Sequence, residues 1–177
     1  HRKEVLLKFA ELLRKHGVEN SVLECVDTGK LIADCINEVA NDAPMHFQWY
    51  GELIDKVFGK VGATDPSITS LVVKEPIGVV AGVVPWNFPL MMAVWKAAPA
   101  LAAGCSIIIK PAEDTPLTAL RVAKLASEAG VPDGVFNVVP GYGDVGEALG
   151  RHNDVDAVSF TGSTEVGGYF MKYSGES

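Results

Sequence analysis

Val5, Leu6, Phe9, Leu12 and Leu13 recur at helical spacing, so "HRKEVLLKFAELLRKHG" predicts an amphipathic helix. Gly17 reads as its C-cap after His16. A second helix is predicted on Leu31, Ile32, Cys35, Ile36 and Val39, and a third on Trp49, Tyr50, Leu53, Ile54, Val57 and Phe58. Polar, Gly-rich "GKVGATDPS" breaks this pattern. "ITSLVVKEP" then alternates weakly, as a strand that Pro76 ends.

From Ile77 the pattern changes. Short apolar runs, "IGVVAGVV", "SIIIK", "VFNVV" and "AVSF", alternate with stretches of helical spacing. The helices run from Leu90 to about Ala103, from Pro116 to Ala129 with Gly130 as cap, near Asp144 to Leu149, and from Thr164 onward. Fully apolar strands alternating with helices imply a parallel sheet covered on both faces. Right-handed crossovers make the outcome an α/β fold, a doubly wound parallel sheet preceded by a helical N-terminal region. No repeat period appears, which speaks against a helical-repeat protein.

Composition narrows the class. The chain has 177 residues, 48% hydrophobic and 21% charged, enough for a sizeable core in one or two domains. A net charge of -7 and a pI near 5.0 argue against nucleic acid as a main partner. No apolar run is long and charge-free enough to span a bilayer, so no membrane partner is expected. The N-terminus has no continuous apolar segment or cleavage site and does not read as a signal peptide. Cys25, Cys35 and Cys105 include no CxxC pair, which favours a reducing compartment and offers no metal framework. A cytoplasmic location is the expectation.

Ligands of an open α/β sheet bind outside the carboxyl ends of its strands. Four such ends are legible: "PWNFP", "KPAED", "PGYGDVG" and "FTGSTEVG". "GYGDVG" is a literal GxGxxG, but it stands in the third strand-to-helix turn and reads equally as a tight turn into a short helix. In "FTGSTEVG", Gly162 frees the turn while Ser163 and Thr164 open a helix whose free N–H groups suit phosphate. An ordinary helix cap is the alternative. In "KPAE", Glu113 and Lys110 suit ribose hydroxyls, and the carboxylate disfavours a 2′-phosphate; a solvated charge pair is the alternative. Asn87 sits between Trp86 and Phe88 in a turn stiffened by Pro85 and Pro89. Its amide can serve as a preset donor to an oxyanion in a dry setting, or cap the next helix. Met92 and Trp95 on that helix suit either a substrate wall or the core.

Taken together and in this order, "PWNFP", "KPAE" and "FTGSTEVG" resemble the aldehyde dehydrogenase superfamily. The helical first part and "SLVVKEPIGVVAGVVPWNFP" extend that resemblance over the whole chain, which looks most like enzymes that oxidise γ-glutamylamino- or aminobutyraldehydes. The resemblance implies a Rossmann-like NAD-binding domain over residues 77–177, after a helical part at 1–76 that includes the start of an oligomerisation strand. It implies Lys110, Ala112 and Glu113 near the adenosine ribose, Gly162, Ser163 and Val166 near pyrophosphate and adenine, and Gly143 beside the adenine. Val84, Pro85, Trp86, Phe160 and Thr161 would complete the cofactor site. Asn87 matches the family's oxyanion donor, Met92 and Trp95 its substrate tunnel, and Lys96 a structural lysine. The implied reaction is NAD-dependent oxidation of an aldehyde to a carboxylic acid through a cysteine thiohemiacetal and thioester. Homodimers or homotetramers are implied for the complete enzyme.

The chain departs from the family in one respect. The "GQxC"-like segment of the nucleophile and the "ELGGK"-like segment of the general base are not in this sequence. The three cysteines read as structural thiols. The chain therefore reads as the NAD-binding portion of a longer enzyme, without its catalytic domain, and is expected not to turn over aldehydes alone. A non-catalytic dinucleotide-binding or scaffold module is the competing reading.

Overall fold

The computed structural model describes residues 1–176. It opens with helices α1 (Arg2–Lys15) and α2 (Gly17–Thr28), then a nearly continuous helical run. That run comprises α3 (Ile32–Cys35), a π-helical stretch (Ile36–Asp42), α4 (Ala43–Leu53) and a single 3-10 turn at Ile54–Lys56. Val57 and Phe58, expected on a helix, lie beyond its end and are exposed.

Helix α2 was not visible in the apolar pattern, because it buries a polar face. Gly17, Asn20, Ser21 and Glu24 point inward at i, i+3, i+4 and i+7, whereas Val18 and Val26 are 68% and 72% exposed. Gly17 is accordingly not a C-cap. His16 ends α1 at φ -99°, and Gly17 opens α2 close against Ala40. A Cβ at Gly17 would stand 2.7 Å from the Ala40 Cβ.

Two short strands, β1 (Lys60–Gly62) and β2 (Ser70–Val72), pair antiparallel. The "GKVGATDPS" stretch thus contributes a strand as well as a break. Next come β3 (Val79–Val83), α5 (Pro89–Ala103), β4 (Ser106–Lys110), α6 (Leu117–Ala129), β5 (Phe136–Val138), α7 (Gly143–Gly150), β6 (Ala157–Phe160) and α8 (Thr164–Tyr173). Gly104 and Gly130 end α5 and α6 in the left-handed conformation that glycine adopts without steric cost.

The four-stranded sheet is parallel throughout, in the order β5-β4-β3-β6. The chain moves outward from β3 through β4 to β5, then crosses back to the far side of β3. With right-handed crossovers, α5 and α6 share one face and α7 takes the other. The β3–β6 seam is therefore the topological switch point, where a crevice opens outside the strand ends.

The core is continuous from the N-terminal helices to the sheet. Phe9 packs on Phe47 with ring centroids 4.4 Å apart and edge-on to Phe136 at 6.2 Å. The same cluster includes Leu90, Val94, Ile107, Ile109, Val122 and Leu125. The helices of residues 1–56 thus share one core with the α5–α6 face of the sheet.

Candidate nucleotide site at the strand ends

Three strand ends are held level by their register. Val83 lies opposite Lys110 on one side and Phe160 on the other. Beyond the strands, the Val84 N–H donates to the Lys110 carbonyl (3.1 Å) and the Thr161 N–H to the Val83 carbonyl (3.0 Å). These bonds carry all three segments into one cleft of about 820 Å³.

Every residue expected at a cofactor site lines that cleft. Val84, Pro85, Trp86 and Asn87 come from the end of β3, and Lys110, Ala112 and Glu113 from the end of β4. Gly143 comes from the start of α7, and Phe160, Thr161, Gly162, Ser163 and Val166 from the β6–α8 turn.

Lys110 is buried; its ammonium donates to the Pro111 carbonyl (3.0 Å) and lies 3.7 Å from the Glu113 carboxylate. Glu113 is half exposed at the rim. Gly146, the last glycine of the GxGxxG stretch, lies beside this lysine, where an added Cβ would make ordinary contact with Lys110 Cδ at 3.9 Å. Gly162 has a sharper requirement. A Cβ there would fall 2.5 Å from the Phe160 ring, so glycine lets that aromatic lie along the cleft wall.

Ser163 caps α8 at the edge of the cleft. Its Oγ accepts from the Val166 N–H (3.3 Å) as the N-cap of α8, and the residue also faces the cleft. The remaining free N–H groups of that first turn, with the positive end of the helix dipole, favour an anion there.

Asn87 is not a helix cap. Phe88 holds the N-cap position of α5 and makes no side-chain cap bond. Among the described residues nothing hydrogen-bonds to the Asn87 amide. The dry setting expected around it is not formed within this chain: Trp86 is 63% exposed, and Asn87 and Phe88 are exposed too. Phe88 instead carries the Lys30 ammonium over its ring at 3.9 Å. Met92 and Trp95 do not line the cleft. Met92 packs partly buried against the core, and exposed Trp95 faces His46 with ring centroids 6.0 Å apart. On the same helix, Lys96 is buried and donates to the Thr161 hydroxyl (2.6 Å), and burial lowers its pKa.

The sequence reading missed an aromatic wall. Tyr169, Phe170 and Tyr173 on α8 line the cleft with Val166, and Phe170 packs on Phe160 at 5.1 Å. The signal was available, because Val166, Tyr169, Phe170 and Tyr173 stand at i, i+3, i+4 and i+7. Glu147 on α7 also borders the cleft. None of the three cysteines does: Cys35 and Cys105 are buried, and the Cys25 thiol donates to the Lys30 carbonyl (3.1 Å). Among the described residues, no cluster of three or more His, Cys, Asp or Glu side chains gathers as a metal site. No helix among them is long and apolar enough to cross a membrane.

Fold and cleft together define a Rossmann-like α/β unit with its crevice at the switch point. The chain belongs to the aldehyde dehydrogenase family, whose model it matches over residues 1–177. It is 54% identical to the aminoacetaldehyde dehydrogenase of Pseudomonas aeruginosa over 177 residues, covering 99% of this chain and 36% of that protein. Among solved structures it is similar to gamma-glutamyl-gamma-aminobutyraldehyde dehydrogenase from Burkholderia cenocepacia, with a TM-score of 0.98 and 54% identity over 99% of this chain and 36% of the other. An indole-3-acetaldehyde dehydrogenase in complex with NAD+ matches with a TM-score of 0.97 and 50% identity, again over 99% of this chain and 36% of its own. The chain thus spans about a third of the length of the relatives it matches.

Proposed function

We propose that this chain forms the NAD-binding part of an enzyme that oxidises an aldehyde to a carboxylic acid. The observation that carries the reading is the uncommitted Asn87 amide on the rim of the cleft that Lys110, Glu113 and Ser163 line. The cleft's volume falls in the range of small-molecule sites. Its donor set fits a dinucleotide: a carboxylate and an ammonium for ribose hydroxyls, a helix start for pyrophosphate, and Val166 and Phe160 as apolar walls. When bound, NAD supplies the hydride acceptor.

The chain's own residues bind the cofactor and present the oxyanion donor. Lys110 and Glu113, with Ala112 between them in sequence, would hold the ribose, and Gly143 would leave room for the adenine. Pro85 and Pro89 restrict the turn that presents Asn87. Its N–H groups donate to the aldehyde oxygen as negative charge develops there, which is where a preset donor lowers the barrier. Met92 and Trp95 face the remainder of the enzyme as substrate wall, and closure by that remainder supplies the dry setting around Asn87. The nucleophile comes from outside this chain, since no cysteine reaches the cleft. The chain alone therefore turns over no aldehyde. Relatives named for aminoacetaldehyde and gamma-glutamyl-gamma-aminobutyraldehyde support an amino- or amido-substituted aldehyde as substrate. The complete enzyme is proposed to be a cytoplasmic homodimer or homotetramer. Three unpaired thiols accord with the location, and exposed Val61, Leu71 and Val73 on and beside the β1–β2 pair with the assembly.

Calorimetric titration with NAD tests the cofactor site, with the chain and the complete enzyme both expected to bind. Asn87→Ala in the complete enzyme should lower kcat by about a hundredfold. A wild-type rate would remove Asn87 from the mechanism. A second reading, a non-catalytic dinucleotide-binding module, draws on the distance of all three cysteines from the cleft. NAD binding without aldehyde oxidation by the complete enzyme would establish it.

A further inference from the structure

Helix α2 buries a carboxylate that the cleft itself does not use. Glu24 is 0% exposed, and burial raises its pKa above the ordinary glutamate range. Its Oε2 accepts from the Thr118 hydroxyl (2.7 Å) and its Oε1 from the Leu90 N–H (3.3 Å). One turn along α2, Asp27 accepts from the Leu117 N–H (2.8 Å). Leu90 and Leu117 lie in the first turns of α5 and α6. Both helices lack a side-chain cap of their own, because Phe88 and Pro116 occupy the cap positions. Helix α2 thus caps two helices across a tertiary contact, each starting just after a turn that borders the cleft.

Burying a carboxylate is expensive, and an apolar residue of similar size would fill the same space at lower cost. What the carboxylate adds is a directed bond to a free N–H in the first turn of α5. Leu90 is three residues from Asn87. Lys30, ion-paired to Glu38, presses on the Phe88 ring between them. The turn is therefore braced at Phe88 and Leu90 by one N-terminal segment, while Asn87 stays free.

We infer that Glu24 is a positioning residue for Asn87: through the Leu90 N–H it fixes where the turn presents its amide donor. This rests on the oxidation chemistry proposed above. Misplacing a donor by a fraction of an ångström lowers the rate without removing the donor.

The test is a double-mutant cycle in the complete enzyme, with hydrogen exchange on the chain as an independent arm. Glu24→Met, which keeps the length of the side chain and removes both acceptor oxygens, should lower kcat about tenfold while the KM for NAD stays within about twofold. In the Asn87→Ala background the same substitution should cost nothing further, because its effect passes through Asn87. Amide exchange over residues 87–92 should quicken in Glu24→Met, because the Leu90 N–H loses its acceptor. Thr118→Val, which removes one bond to Glu24 and keeps the shape, should give a smaller change in the same direction and serves in the cycle if Glu24→Met does not fold. Equal losses with and without Asn87, or unchanged exchange over 87–92, would overturn the positioning role. A wild-type enzyme that oxidises no aldehyde, yet shows the exchange difference, would overturn the proposed reaction and leave the brace standing.

Discussion

The buried ammonium of Lys110 stands 3.7 Å from the half-exposed carboxylate of Glu113, at the end of the second strand of the parallel sheet. The lysine is held by the Pro111 carbonyl, so the glutamate is the movable partner. A negative charge there welcomes ribose hydroxyls and repels a 2′-phosphate. Glu113→Gln should therefore raise the affinity for NADP relative to NAD by roughly fivefold, the size of a ~1 kcal/mol interaction at an exposed charge. Calorimetric Kd values for both cofactors measure this, and an unchanged ratio would remove Glu113 from cofactor choice. The effect should shrink at high salt.

Acid stability should depend on Glu19. Hydrogen bonds from Arg121 and then His16 lower its pKa from 4.5 to about 2. Because the folded value lies below the unfolded one, its contribution is present above pH 4.5 and is lost as the pH falls toward 2. Glu19→Gln should flatten the fall in Tm across that window and leave its slope above pH 5 unchanged.

Two glycines should respond oppositely to alanine. At Gly17 the new methyl would meet Ala40 Cβ at 2.7 Å, forcing α2 away from the π-helical stretch. Overpacking of this kind destabilises by about 1–3 kcal/mol. At Gly143, the first residue of α7, a Cβ meets nothing within 4 Å, so alanine should raise stability by about 0.5–1 kcal/mol. Urea midpoints of both variants decide the matter, with m-values expected to stay constant.

Phe9 joins the N-terminal helices to the sheet through Phe47 and Phe136. It is fully buried, and Phe9→Ala should lower stability by about 3–5 kcal/mol. Because the core is shared, NAD affinity should fall with it at temperatures where the variant begins to unfold. Full affinity in a variant whose helices 1–56 have melted would show that the sheet stands without them.

Some elements were legible because their local pattern permits one answer. "SIIIK" and "AVSF" fall on β4 and β6 residue for residue, since each is a compact run closed by a Pro or Gly turn. Gly130 ended α6 as expected, because only glycine takes its left-handed φ of 100° freely. The meeting of the strand-end residues was legible for a similar reason: a parallel sheet gathers its carboxyl ends, so residues just past four strands line one cleft.

What remained hidden depended on partners distant in sequence. The apolar stripe of α2 points to solvent, and its polar stripe is inside because Glu24 and Asp27 have helix starts to cap. No local rule assigns a buried face to Asn20, Ser21 and Glu24 when Val18, Val22 and Val26 stand opposite. Strand β1 likewise exists only through its pairing with β2, since three residues cannot hold an extended conformation alone. The sequence by itself determined the alternation of strands and helices, the ends of the strands and the chemistry placed there. Tertiary structure alone decided which face of α2 is buried and that its carboxylates brace the turns beside the cleft. Periodicity records only that a helix has two faces; the bonding partners on neighbouring elements select which one is buried.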